Sequence, residues 1–241
     1  MSDVFPVITI DGPSGSGKGT LSRKLAKILG WNLLDSGIIY RVLALIMLIY
    51  KVDINYEEKI LELIKVIKIN FVKSYDSFII LFNGIRVTQD IYTETIGNYA
   101  SKIAALSTVR KNLLIYQRAF CKWPGLVADG RDMGTVVFPN ALLKIFLYAS
   151  CEEREKRRLY QLKEKKNSVN YKEFLSHIRE RDDRDFNRRL APLVPAIDAL
   201  VLDSTYLSEE EVNSIVLMHI KESIMVLPPR VLYNCIHNQG R

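Results

Sequence analysis

The feature that most narrows the possible folds is a run of nine residues set between two different periodicities: Gly12-Pro13-Ser14-Gly15-Ser16-Gly17-Lys18-Gly19-Thr20. Before it, Val7-Ile8-Thr9-Ile10-Asp11 is a short apolar run of strand type. After it, Leu21, Leu25, Ile28 and Leu29 recur at the spacing of one helix face. A Gly-rich turn from a buried strand into a helix is a phosphate cradle. Successive backbone N–H groups converge on the anion, and the helix N-terminus adds the positive end of its dipole. Lys18 brings a point charge to the β- and γ-oxygens of a bound triphosphate.

The order β-loop-α continues. Trp31-Asn32-Leu33-Leu34 reads as a second strand, ending in Asp35-Ser36-Gly37, and an apolar helix follows. Two further core strands are expected at Leu126-Val127-Ala128-Asp129 and from Lys144 to Tyr148, and a last one at Leu200-Val201-Leu202-Asp203. Helices are expected from about Thr93 to Lys122, from the Ser150-x-x-Glu153 capping box onward, from about Tyr171 to Arg188 and from about Ser208 to Ile224. This pattern predicts an α/β P-loop fold of three layers, a parallel five-stranded sheet flanked by helices.

One stretch breaks the pattern. Lys68 to Val72 and Phe78 to Phe82 are β-type runs joined by the polar residues 73–77, and Asn83-Gly84 turns the chain into Ile85-Arg86-Val87. The Asn-Gly pair supplies the positive φ angles of a tight hairpin, so an antiparallel insert is expected at about 63–92. The expected division assigns 1–36, 93–150 and 190–224 to the P-loop core and 37–92 to an acceptor region carrying the insert. Residues 151–189 form a lid with arginine-rich helices, and 225–241 a loosely ordered tail.

Charge narrows the partners. The net charge is +7, and Cys151 to Arg189 supplies +4 of it, with thirteen Lys and Arg against nine Asp and Glu. Those arginines are interleaved with carboxylates, which suits a clamp for a small anion better than a nucleic-acid stripe. Cys121, Cys151 and Cys235 are scattered, which argues against a disulfide framework or a zinc site and fits a reducing cytosol. No basic segment precedes an apolar one at the start, and the longest apolar run, Val42 to Tyr50, is too short to span a bilayer.

Three further segments bring arginines and carboxylates together: Leu34-Asp35-Ser36-Gly37-x-x-Tyr40-Arg41, Ala128-Asp129-Gly130-Arg131-Asp132-Met133-Gly134-Thr135 and Arg179-x-Arg181-Asp182-x-Arg184-Asp185. Arg41 and Arg131 follow core strands, at the carboxyl edge where open α/β sheets bind ligands, and read as anion ligands. Arg188 from the far helix could complete such a clamp, with Ser36 donating a hydroxyl. Arg184 and Arg189, each taken alone, read as solvated surface charges. With the phosphate loop, these segments resemble the bacterial cytidylate kinases from about Val7 to Leu217. The loop agrees: Gly19 stands where switch GTPases carry Ser or Thr, with Thr20 next, and no Asn-Lys-x-Asp stretch is present.

The resemblance implies that ATP phosphorylates CMP or dCMP with magnesium, in the cytoplasm, in a monomer without nucleic-acid or membrane partners. It implies catalytic roles for Lys18, Arg131, Arg158 and Arg188, and ATP contacts from the loop residues Gly12 to Thr20 and from Arg157. For CMP it implies Ser36, Arg41, Ser101, Arg110, Arg131, Asp132, Arg181, Asp185 and Arg188. Cytosine presents an N4 donor beside an N3 acceptor, so its reader needs a carboxylate and a cation; the resemblance gives these roles to Asp132 and Arg110, assisted by Ser101.

By spacing alone, Asp185 is equally an intrahelical ion pair, and only the resemblance makes it, with Arg181, a ribose contact. Thr20 and Asp129, the latter through water, are the metal candidates; Asp129 could equally accept hydrogen bonds from the phosphate loop. Arg154, Arg157 and Arg158 are expected at the triphosphate, with a solvated helix face as the alternative. None of His177, His219 and His237 sits where a general base would. One departure stands out: Ile91-Tyr92-Thr93 occupies a place where the family commonly reads Ile-Arg-Thr. The rival readings are a P-loop kinase of UMP or AMP, an RNA-associated ATPase and a regulatory nucleotide-binding module.

Overall fold

The structure, a computed structural model, describes residues 5–73, 78–87, 89–164 and 171–225. Its centre is a sheet of five parallel strands: β1 (Val7–Asp11), β2 (Asn32–Asp35), β6 (Leu126–Gly130), β7 (Leu143–Tyr148) and β8 (Leu200–Asp203). They lie in the order β2-β6-β1-β7-β8. Both β1 and β6 are buried along their whole length. That is why they read as unbroken apolar runs rather than as alternating patterns. On one face, α1 (Lys18–Leu29) and α8 (Glu209–Met225) bring Leu21, Leu25, Val212 and Val216 against Ile8, Ile10 and Val127. On the other, α2 (Ser36–Ile49) packs with α4 (Glu94–Ile103) and α5 (Ser107–Arg118) around Ile39, Leu43, Met47, Ile103 and Leu113. The three layers follow from these two apolar faces.

Helix ends obey local chemistry. Asp35 caps α2 by accepting from Ile38 N at 3.1 Å, and Thr93 caps α4 by accepting from Ile96 N at 3.3 Å. Ser150 accepts from Glu153 N at 3.2 Å and opens α6 (Cys151–Glu164), as the capping-box signature predicts. α7 (Tyr171–Asn187) precedes β8. The insert is antiparallel, with β3 (Ile69–Lys73), β4 (Phe78–Phe82) and β5 (Ile85–Arg86) in that order. Asn83 (φ 47°) and Gly84 (φ 82°) both take the left-handed conformation that its turn requires.

Two elements, α3 (Glu57–Val66) and a π-helical turn, depart from expectation. The helices expected between Thr93 and Lys122 are two, because Leu106 adopts extended backbone (φ −75°, ψ 122°) and lets α5 turn towards α3 while α4 stays against α2 and α7. α3 itself was not foreseen. After β6, Met133–Val137 forms a π-helical turn, which has no signature in the sequence. Residues 74–77 of the insert and 226–241 of the tail, with Cys235 and His237, lie outside the described residues. Among the described residues no helix is long and apolar enough to cross a membrane, and Cys121 and Cys151 are free thiols.

Candidate active site

Because all five strands run parallel, their carboxyl ends, at Asp11, Asp35, Gly130, Tyr148 and Asp203, share one edge of the sheet. The phosphate loop and the segments after β2 and β6 leave from that edge, and the Arg179–Asp185 segment reaches the same site from within α7. Three cavities adjoin there. One of 420 Å³ is lined by the phosphate loop, Arg41, Asp129, Arg131, Arg158 and Arg181. One of 50 Å³ holds Ser36, Tyr40, Ser101, Arg110, Asp132 and Asp185, and it shares Arg131 and Arg181 with the first. The third, 910 Å³, lies between the loop, α6 and α8.

The loop fits tightly into this edge. A Cβ on Gly12 would stand 2.0 Å from Leu147 O, so only glycine lets the loop lie on β7. Lys18 Nζ donates to Pro13 O at 3.1 Å. Part of the Lys18 side chain reaches the surface, yet its ammonium is enclosed. Burial, with Arg131 adding to it, pulls its pKa down to about 7 against the opposing pull of Asp129. Asp129 is pushed up to about 7 by burial and by Asp35. It accepts from Ser22 Oγ at 2.6 Å. Its donor is thus a side chain of α1, not the loop backbone.

Asp11, at the end of β1, accepts Met133 N and Gly134 N, each at 2.8 Å. This two-pronged contact anchors the turn that follows Arg131 and Asp132, and so fixes where those two side chains start. Burial raises the Asp11 pKa to about 6, less than it would without those two amides. In sequence Asp11 reads only as the last residue of a strand.

Acceptor-side residues from five elements meet around Asp132. Its carboxylate pairs with Arg110 of α5 and lies 3.4 Å from Arg188 Nη2. Arg131 Nε donates to Asp185 Oδ2 at 2.6 Å. The hydrogen-bonded partner of Asp185 is Arg131, 54 positions away, rather than a neighbour on its own helix. Burial pushes Asp185 up, but Arg131 and Arg181 outweigh it and hold its pKa below the usual carboxylate value. Arg181 is the opposite case. Burial lowers its pKa to about 9, and its Nε and Nη1 are buried without a hydrogen-bond partner among the described residues. It lines both cavities.

Arg41 is 7% exposed and donates to Ile91 O at 2.7 Å and Thr93 O at 3.2 Å. Ser36 is buried and accepts from Gln117 Nε2 at 2.8 Å. Neither Gln117 nor Tyr40, whose hydroxyl pKa burial pushes to about 12, was expected at the site. Tyr40 stands inside a segment that carried the resemblance, whereas Gln117 gives no signal at all. Tyr92 lines the 420 Å³ cavity beside Arg41.

The lid arginines divide. Arg158 Nη2 donates to Ser14 Oγ at 3.2 Å and faces the 420 Å³ cavity. Arg157 faces the 910 Å³ cavity and donates to Ser204 O at 2.5 Å. Arg154 does not reach towards a triphosphate. It is 6% exposed, pairs with Asp182 and donates to Ala149 O at 3.1 Å and Ser14 O at 3.0 Å. Its charge is used to fasten α6 and α7 to the loop. Arg184 is likewise no solvated surface charge, for it donates to Asn98 Oδ1 and to Ser101 Oγ, the latter at 3.3 Å. Arg189 is exposed, as expected.

This geometry joins a phosphate loop to a carboxylate–arginine pair in an adjoining side pocket. The family model described as cytidylate kinase matches residues 8–222. The chain belongs to the cytidylate kinase family. Among curated relatives, a cytidylate kinase of Serratia proteamaculans is 54% identical over 228 residues, covering 95% of this chain and 99% of that one. One of Yersinia enterocolitica is 55% identical with the same coverage. A gluconokinase structure from Sinorhizobium meliloti matches 91% of this chain and 93% of its own at 12% identity and a TM-score of 0.45, too slight a likeness to carry an argument.

Proposed function

We propose that this chain transfers the γ-phosphoryl group of ATP to CMP and dCMP, a phosphotransfer to a phosphate acceptor, with the roles that follow. The carrying observation is the pairing of Asp132 with Arg110 and Arg188 in a pocket that opens on the phosphate loop. A carboxylate beside guanidiniums offers an acceptor next to donors. Cytosine matches that order with its N4 amino group and its N3 and O2, whereas uracil turns a carbonyl oxygen towards the carboxylate and is repelled. Ser101, Tyr40 and Asp185 line the same pocket, and Asp185, with Arg181, takes the ribose.

Transfer itself is an in-line attack by an acceptor phosphate oxygen on the γ-phosphorus. That oxygen is already ionised at neutral pH, so no general base is needed, and His219, paired with Glu222 on α8, lines none of the three cavities. Arg41 and Arg131 hold the acceptor phosphate from two sides. Lys18, Arg158 and Arg181 face the same cavity and stabilise charge on the transferring group. Arg188 acts from the base side. Residues 151–189 act as a lid that closes over the donor and excludes water, with 1–36, 93–150 and 190–224 as the P-loop core and 37–92 as the acceptor region.

Magnesium fits this site. Thr20 and Asp129 both line the 420 Å³ cavity, and hard oxygen donors with one carboxylate are what that ion takes when phosphates complete its shell. It would be held by Thr20 and, through water, by Asp129, and would neutralise charge on the β- and γ-oxygens. We place the enzyme in the cytosol as a monomer acting on free nucleotides, without nucleic-acid or membrane partners; its free thiols support the location. Asp132→Ala tests the base assignment. It raises KM for CMP and narrows the preference for CMP over UMP; unchanged selectivity would mean the base is read elsewhere.

A further inference from the structure

The 910 Å³ cavity has an apolar floor of Leu21, Leu147, Leu207 and Val212 and meets the phosphate loop at Gly15, Gly17 and Thr20. Its volume is that of a pocket for a small organic ligand. Two buried polar atoms of its lining residues lack a hydrogen-bond partner among the described residues: Ser16 Oγ of the phosphate loop and Oδ1 of Asn213, which stands away from the loop among apolar side chains. Asn213 lies on α8 and is 8% exposed. An amide left unpaired beside leucines is unfavourable, because it has given up water and gained nothing. Natural interiors hold few such groups, and each calls for a partner that explains it.

We propose that Asn213 holds the 6-amino group of the adenine of the phosphoryl donor. This rests on the kinase reading above. With the transfer in the 420 Å³ cavity and the acceptor base in the 50 Å³ pocket, the donor nucleoside extends from the shared loop residues into the third cavity. The base then stacks on the apolar floor. Adenine carries an exocyclic N–H donor next to a ring-nitrogen acceptor, and a carboxamide carries the complementary pair. The asparagine χ2 torsion is soft, so rotating the amide presents either its oxygen or its nitrogen to the cavity in nearly the same volume. Nothing in the sequence flags this residue, since an asparagine within a helix is ordinarily a surface position.

The test compares ATP with purine riboside triphosphate, which lacks only the 6-amino group, as donors to CMP. Wild-type enzyme favours ATP in kcat/KM by about 3- to 10-fold, the value of one neutral hydrogen bond. In Asn213→Leu, a substitution of similar volume in apolar surroundings, the ratio falls to about 1 while KM for CMP holds. In Asn213→Asp, which keeps an acceptor oxygen, the preference survives. Asn213→Leu also melts higher than wild type, because the unpaired amide is gone. An equal ratio in wild type and Asn213→Leu overturns the proposal, as does loss of the preference in Asn213→Asp. Wild-type enzyme that phosphorylates no CMP with either donor instead overturns the kinase reading on which it rests.

Discussion

Arg131 Nε donates to Asp185 Oδ2 at 2.6 Å, joining the turn after β6 to the far end of α7. Both side chains are largely buried. The contact aims the guanidinium along the edge of the 420 Å³ cavity and draws the arginine-rich helix over the acceptor pocket. Under the proposed function, Asp185 positions Arg131 against the acceptor phosphate as well as contacting the ribose. Replacing it with alanine lowers kcat/KM for CMP by on the order of 10- to 100-fold, the worth of a charge-assisted hydrogen bond. A fall in melting temperature with kcat/KM intact would reduce Asp185 to a structural tie.

Gly97 on α4 lies against the other acceptor arginine. A Cβ there would stand 2.7 Å from Arg41 Nη2 and 3.1 Å from its Cζ. Gly97→Ala must push the guanidinium off its carbonyl partners, while alanine favours the helix itself by about 1 kcal/mol. The two effects separate in measurement. KM for CMP rises several-fold, and stability to urea stays level or improves. A variant with normal KM would show that Arg41 does not hold the acceptor from its present place.

Arg154 makes the contrasting prediction. Its removal leaves Asp182 buried without its cation and loosens Ser14 from α6. Breaking a buried pair from one side costs about 3–5 kcal/mol. Arg154→Ala therefore lowers the unfolding midpoint strongly, and adding Asp182→Ala restores part of the loss. Loss of activity in fully stable Arg154→Ala would return the residue to the triphosphate.

Proton linkage gives a pH test. Asp129 has its pKa raised to about 7 and Lys18 has its lowered to about 7, burial being the largest cause in each. A carboxyl raised on folding contributes stability below its unfolded pKa and loses it as pH rises through 7. The depressed lysine acts oppositely, recovering stability as pH rises above 7. In Asp129→Asn the first loss is gone and Lys18, without its carboxylate, deprotonates at lower pH. The melting temperature of Asp129→Asn relative to wild type hence climbs between pH 5.5 and 8 in nucleotide-free enzyme. A flat difference would mean Asp129 titrates as an ordinary carboxylate.

How much of this was legible in the sequence depends on whether the cause is local. The phosphate loop, the Asn83-Gly84 hairpin and the caps at Ser150 and Asp35 are written within a few residues, and all stand where expected. Arg131 and Asp132 were legible because they follow an apolar strand, whose end fixes their place on the sheet edge. What escaped depends on packing between distant segments. Asp11 latches the turn at Met133 and Gly134 from across the sheet. Gln117 reaches Ser36 from 81 positions away. The arginines of α6 showed the reverse difficulty: one charged helix face looks uniform in sequence, yet packing sends Arg154 inward, Arg157 to one cavity and Arg158 to another.

The most direct measurement is kcat/KM for CMP, dCMP, UMP and AMP with ATP as donor. The account predicts CMP and dCMP well ahead of UMP and AMP, and little ATP turnover without an acceptor. UMP or AMP above CMP, or ATP hydrolysis driven by RNA instead, would contradict it.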